Sequence, residues 1–115
     1  MLEDLFKVLA DENRLRMVNL LLEKELCVCE IEAILETSQS NVSRHLARLR
    51  NEEMVVFERK AQWTYYQMNP AFLADHEQLV HYLIKKMKKE AVFIHDLEQL
   101  DLYKQGKIYC GLMSV

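Results

Sequence analysis

Apolar positions follow helical spacing along most of the chain and change to a strand-like pattern once, near the middle. Leu2, Leu5, Phe6 and Leu9 share one face of a helix predicted over 2–10. Asp11 then offers an N-cap for a second helix reaching residue 22, with Leu15, Val18 and Leu22 as its inward stripe. A third, short helix is expected over 29–36 with Ile31, Ile34 and Leu35 inward, and Thr37-Ser38 supply stop and recap chemistry.

The fourth helix, predicted over 39–53, separates its faces cleanly. Val42, Leu46 and Leu49 fall at i, i+4 and i+7 and must be buried. Ser40, Ser43, Arg44 and Ala47 occupy the opposite side, with Gln39, Asn41 and His45 at its margins and Arg48 following. Segments 54–59 and 63–68 are rich in Val, Phe, Trp, Thr and Tyr around a polar Lys60-Ala61-Gln62, which predicts a β-hairpin. After Asn69-Pro70 a long helix is expected over 72–104, where Val80, Ile84, Met87, Ala91 and Ile94 recur at threes and fours. A small monomer cannot cover so long a stripe, so a dimer through the first and last helices is expected. Gly106 should end that helix, leaving a tail over 107–115.

The fold class is therefore mainly α with a small β-hairpin. A chain of 115 residues suits one domain over 1–115, with a recognition unit at 28–53, a wing at 54–68 and a dimerisation helix at 71–104. Two glycines and one proline leave no linker-like segment. No uncharged apolar run approaches the ~18 residues a membrane span needs, and Glu3 and Asp4 come within the first four residues, so the expected setting is soluble and cytoplasmic, with no membrane partner.

Net charge of −3 argues against nucleic acid until its distribution is considered. Residues 1–37 carry 4 Lys/Arg against 9 Asp/Glu, residues 38–63 carry 5 against 3, and residues 64–115 carry 6 against 6. The basic excess sits on the predicted reading helix and hairpin, where a positive stripe can dock on phosphate. Two helices joined by a short turn and followed by a hairpin bearing Arg59 and Lys60 form a winged helix-turn-helix, which predicts double-stranded operator DNA as partner. Gln39, Ser40, Ser43 and Arg44 are the candidate base and phosphate contacts, with His45 beside them and Arg59 and Lys60 on the wing. No Ser/His/Asp set, carboxylate pair or phosphate-cradling glycine pattern suggests an enzyme.

Three segments together carry a family resemblance. Leu9-Ala10-Asp11-Glu12-Asn13-Arg14-Leu15-Arg16, Ser38-Gln39-Ser40-Asn41-Val42-Ser43-Arg44-His45-Leu46 and Trp63-Thr64-Tyr65-Tyr66 resemble the ArsR/SmtB family of metal-responsive bacterial repressors. The resemblance implies a homodimer with two recognition helices in successive major grooves ~34 Å apart. It also implies a sensor at Glu25-Leu26-Cys27-Val28-Cys29-Glu30, which is similar to the thiolate motif of the family's arsenite and cadmium/lead sensors.

Thiolates suit soft ions, As(III), Sb(III), Cd(II) and Pb(II) among them. Residues two apart on a regular helix diverge by about 200°, so Cys27 and Cys29 can share one ion only if the helix start is extended or distorted. In the arsenic-sensor pattern a third cysteine follows three residues later; here that position is Glu32, and Cys110 is the remaining sulfur. Three cysteines match the pyramidal site of As(III) or Sb(III), so the metal-site expectation is Cys27, Cys29 and Cys110, with As(III) as inducer, Sb(III) as the close alternative and no obligatory cofactor. Whether Cys110 folds back onto its own chain or the partner stays open at this level, as do a Cd(II)/Pb(II) sensor, a cysteine-based redox sensor and, from another class, a winged-helix protein-interaction module that does not read DNA. The family's zinc positions on the last helix fall on Pro70, Phe72, Leu83 and Lys86, which cannot form that site.

Overall fold

The computed structural model describes residues 1–110; of the predicted tail, 111–115 lie outside the described residues. The order of elements is α1 (Leu2–Leu9), α2 (Glu12–Leu21), β1 (Leu26–Cys27), α3 (Val28–Leu35), α4 (Gln39–Asn51), β2 (Val55–Lys60), β3 (Trp63–Met68), α5 (Pro70–Asp75), α6 (Glu77–Met87) and α7 (Ala91–Lys104).

Helix starts follow the local chemistry. The Asp11 side chain accepts the N–H of Arg14 at 3.1 Å and Ser38 accepts that of Asn41 at 3.2 Å, each satisfying an amide that the first turn leaves without a partner. Asn69 caps α5 by accepting from Ala71, and Pro70 occupies the first helical position, where its missing N–H costs nothing. Between α3 and α4 the chain turns at Glu36, whose left-handed φ of 54° ends α3 two residues before Ser38 begins the next cap.

The core gathers one face of each element. Met17 and Leu20 from α2, Ile31 and Ile34 from α3, Val42, Leu46 and Leu49 from α4 and Met54 ahead of the hairpin are essentially sealed from solvent. Truncating any one of these aliphatic side chains to Ala would cost on the order of 2–5 kcal/mol through lost burial and the cavity left behind. The helix-turn-helix is thereby fixed on its inner side, leaving the outer face of α4 free of packing duties.

The sheet is antiparallel in the order β1-β3-β2. Val55 through Lys60 pair with Met68 through Trp63, as the hairpin pattern predicts, and Ala61 at the tip adopts φ 54°. The additional strand is β1, where Leu26 pairs with Tyr66 and Cys27 with Tyr65. Two residues are too few to display an alternation, which is why this strand is invisible in the sequence.

The single helix expected over 72–104 is a correction: the segment forms α5, α6 and α7. α6 stops at Met87, with Lys85 and Lys86 in its last turn and Lys88 and Lys89 just beyond, a clustering of cations that favours a helix C-terminus. Glu90, extended at φ −111°, ψ 134°, then redirects the chain. Beyond this break α7 lies against α2 and α3. There Asp96 is wholly buried and accepts a two-pronged ion pair from Arg16, Nε to Oδ2 at 2.7 Å and Nη2 to Oδ1 at 2.9 Å. Asn19 adds a hydrogen bond to the Phe93 carbonyl oxygen at 3.1 Å.

Apolar side chains also remain outside. Leu2 and Phe6 on α1 are 68% and 52% exposed, and Tyr82 on α6 and Ile94 on α7 are exposed as well. No helix among the described residues is long and apolar enough to cross a membrane.

Candidate DNA-reading face and thiol site

The outer side of α4 presents Gln39, Ser40, Ser43, Arg44, Ala47 and Arg48, all exposed. Arg44 is held by its own helix, its Nη2 donating to Asn41 Oδ1 at 2.7 Å, and Asn41 in turn donates to Thr37 Oγ1 at 2.9 Å. The guanidinium therefore projects from a fixed base at the N-terminal half of the helix. On the wing Arg59 is exposed, whereas the Lys60 ammonium pairs with Glu25 at 2.5 Å, which holds its pKa above the ordinary lysine value.

His45 is the exception and a correction. It is 5% exposed, and its Nδ1 lies 3.1 Å from Arg14 Nη1, so it faces the core side of α4 rather than the reading face. Arg14 also donates to the Val8 carbonyl oxygen at 2.6 Å and lies 3.8 Å from Asp11, tying α1, α2 and α4 together. Burial pushes the His45 pKa below its ordinary value, which keeps the ring neutral and able to accept from Arg14. Its place between Val42 and Leu46, next to the buried stripe, is the sequence signal that marks it as inward.

At the thiol site the helix start has the required extended form. Cys27 has φ −90° and ψ 168°, stands in β1 and serves as the N-cap of α3, while Cys29 lies one residue inside the helix. Both line one open cavity of 630 Å³. Cys27 and Glu30 form a reciprocal capping box: the thiol accepts from the Glu30 N–H, and Glu30 Oε1 accepts the Cys27 N–H at 2.8 Å. Burial pushes the Cys27 thiol pKa up.

The tail delivers the third sulfur within the same chain. Cys110, 1% exposed, is disulfide-bonded to Cys29 with their Cα atoms 5.4 Å apart, and Cys27 remains a free, buried thiol. The structure thus joins Cys29 and Cys110 directly. It does not gather three or more Cys, His, Asp or Glu side chains around one point among the described residues. Of the acidic neighbours of the thiols, Glu25 is engaged by Lys60 and Glu30 by Cys27 and Tyr103, while Glu32 lines the cavity.

Glu30, the last residue of the thiolate-like motif, and Tyr103 adjoin the thiols, and neither role was expected from the sequence. The spacing Cys27-x-x-Glu30 matches a capping box and could have found the first; no local pattern points to Tyr103, which reaches Glu30 from 73 residues away.

The comparisons agree with the fold. A family model described as "Bacterial regulatory protein, arsR family" matches residues 11–56, from the α2 cap to the first residues of β2. The chain is 52% identical over 66 residues to the arsenic resistance transcriptional regulator ArsR1 of Pseudomonas putida, covering 56% of this chain and 52% of that protein. It is 38% identical over 79 residues to the transcriptional activator HlyU of Vibrio cholerae, covering 69% of this chain and 73% of that protein. Among solved structures, the transcriptional repressor BigR from Xylella fastidiosa aligns with a TM-score of 0.63 at 27% identity, covering 78% of this chain and 89% of that one. The chain spans only about half to three fifths of the length of its arsenic-resistance relatives.

Proposed function

Because the chain belongs to the arsR family of bacterial regulatory proteins, we propose that it is an arsenic-responsive transcriptional repressor, binding operator DNA as an apo homodimer and releasing it when As(III), or Sb(III), is captured by Cys27, Cys29 and Cys110. The observation that carries this reading is Cys110 of the tail against Cys29 of the same chain, which supplies from a distance the sulfur missing at Glu32. The likeness to the Pseudomonas putida arsenic resistance regulator supports the same ligand class.

In the thiol form, arsenous acid condenses with three cysteines, As(OH)3 + 3 Cys–SH giving As(S–Cys)3 + 3 H2O. The hydroxides leave with the thiol protons, so neutral, buried thiols are competent. A divalent cation must expel those protons, which burial of Cys27 disfavours. That difference supports a trivalent metalloid over Cd(II) or Pb(II).

Homodimer formation is supported by the exposed Leu2 and Phe6 on α1 and Ile94 on α7, which a second copy can cover. Gln39, Ser40, Ser43 and Arg44 enter the major groove in this reading, with Arg59 at the wing. The ion shifts the dimer only by binding its DNA-incompetent form more tightly, and operator DNA must weaken ion affinity by the same factor. Fluorescence anisotropy of a labelled operator, with reduced protein titrated by arsenite, Sb(III), Cd(II) and Pb(II), tests it. Release by arsenite supports the reading; indifference to all four refutes it.

A second reading is favoured by the Cys29–Cys110 disulfide itself. Oxidation of this pair by a peroxide, 2 Cys–SH + H2O2 giving Cys–S–S–Cys + 2 H2O, makes the chain a redox sensor on the same operator. Anisotropy after mild peroxide, without arsenite, separates the two.

A further inference from the structure

Lys60 does not stand out from the tip of the wing. Its side chain turns back over β3, the ammonium 5.5 Å from the centroid of the Tyr65 ring and 2.5 Å from Glu25 Oε1, so an arm rooted on β2 reaches the residue that precedes β1 at the far edge of the sheet. Resting on the reading of α4 and the wing as DNA-contacting, we propose that Glu25 competes with DNA phosphate for the Lys60 ammonium and so limits how strongly the wing holds any duplex. Glu25 acts through Lys60 and is a positioning residue for that contact.

The local charge makes the competition effective. The hairpin over 55–68 carries Glu58, Arg59 and Lys60, a net charge of +1, and Glu25 cancels it. Alternation along β2 places Glu58 and Lys60 on one face of the sheet and Arg59 on the other, so two carboxylates share a side with one ammonium. DNA can recruit Lys60 only by leaving Glu25 uncompensated near its own phosphates, where like charges repel.

The pair is also able to exchange. Its side chains are 45% and 35% exposed, and an ion pair that open to water is weakly held, so a polyanion can displace the carboxylate. Phosphate contacts carry no base information, so the effect falls equally on every sequence. Glu25 opens the thiolate-like motif, yet it does not line the cavity that Cys27 and Cys29 share. Its effect is confined to the wing.

The sequence-independence allows a test that needs no operator. The full chain, kept reduced with a phosphine, is titrated against a short fluorescein-labelled DNA duplex of mixed sequence, and anisotropy is followed over a range of salt. Glu25→Gln should bind at least about fivefold more tightly at about 50 mM salt, with the gain shrinking about threefold by about 200 mM, because one more neutralised phosphate steepens the salt slope by ~0.9. Lys60→Met, which keeps the aliphatic arm over Tyr65, should change wild-type affinity by less than about twofold and should abolish the gain of Glu25→Gln in the double variant. Arsenite affinity of the free Glu25→Gln protein should stay within about twofold of wild type.

A gain that survives Lys60→Met would reduce Glu25 to a diffuse contribution to the field and overturn the proposal, as would duplex affinity unmoved by Glu25→Gln; either leaves the DNA-binding reading standing. Failure of both the wild type and Glu25→Gln to bind the duplex at about 50 mM salt would overturn that reading and the proposal with it.

Discussion

Tyr103 of α7 donates its hydroxyl to Glu30 Oε2 at the start of α3. The other oxygen of that carboxylate accepts the N–H of Cys27, so one side chain joins the candidate sensor thiol to the C-terminal helix. Burial, then the hydrogen bond to Glu30, pushes the Tyr103 pKa well up, so the phenol stays a donor at any physiological pH. An ion drawing Cys27 out of its cap must disturb Glu30, and through it Tyr103. Tyr103→Phe should cost about 1.5 kcal/mol in urea unfolding and reduce the arsenite-induced loss of operator affinity, leaving arsenite affinity of the free protein nearly unchanged. Unaltered coupling in this variant would confine Tyr103 to stability.

Removing one partner of the Arg16–Asp96 pair strands a buried charge. Asp96→Ala should destabilise by about 3–5 kcal/mol, and the double variant Arg16→Met/Asp96→Leu should recover much of the loss because neither charge then needs a partner. Chemical denaturation of the two proteins side by side decides it.

Operator binding should divide the polar residues by role. Arg44→Ala should weaken the specific complex by about 1–3 kcal/mol and relax preference at one base pair, whereas Arg59→Ala should weaken all sequences alike and lower the salt slope by about 1. His45, being buried on Arg14, should alter affinity only through stability.

Acid should loosen the junction of α1, α2 and α4 in two windows. The folded His45 pKa lies below its unfolded value of ~6.5, so its contribution is present above that value and is lost as pH falls from there through the folded pKa. Burial opposes the Asp11 carboxylate, but its hydrogen bond from the Arg14 amide and the nearby guanidinium outweigh that and lower its pKa, so its contribution disappears at more acid pH still. Unfolding free energies from pH 7.5 to 5 should fall below about pH 6.5, and His45→Asn should flatten this upper step alone. An identical slope in the variant would assign the loss elsewhere.

Much of this was legible in the sequence because local chemistry and core burial point the same way. Asp11 and Ser38 cap where their side chains permit, and Val42, Leu46 and Leu49 could face only inward. The break between α6 and α7 escaped the spacing argument, since Val80, Ile84, Met87, Ala91 and Ile94 keep helical intervals across it, and the contact of Asp96 with Arg16 that follows it spans 80 residues. The same limit hid Tyr103 and left Cys110 undecided between its own chain and a partner: pairings across 73 and 81 residues leave no periodic trace.

The strand order β1-β3-β2 sets Cys27 and Arg59 on opposite flanks of β3. β2 can therefore accumulate substitutions at its exposed positions, retuning how firmly the wing would hold DNA, without altering the backbone ladder that holds Cys27. In the proposed reading, the strength of the DNA grip and the chemistry at the thiols are separately mutable, which would allow duplicated copies of such a chain to diverge in one while keeping the other.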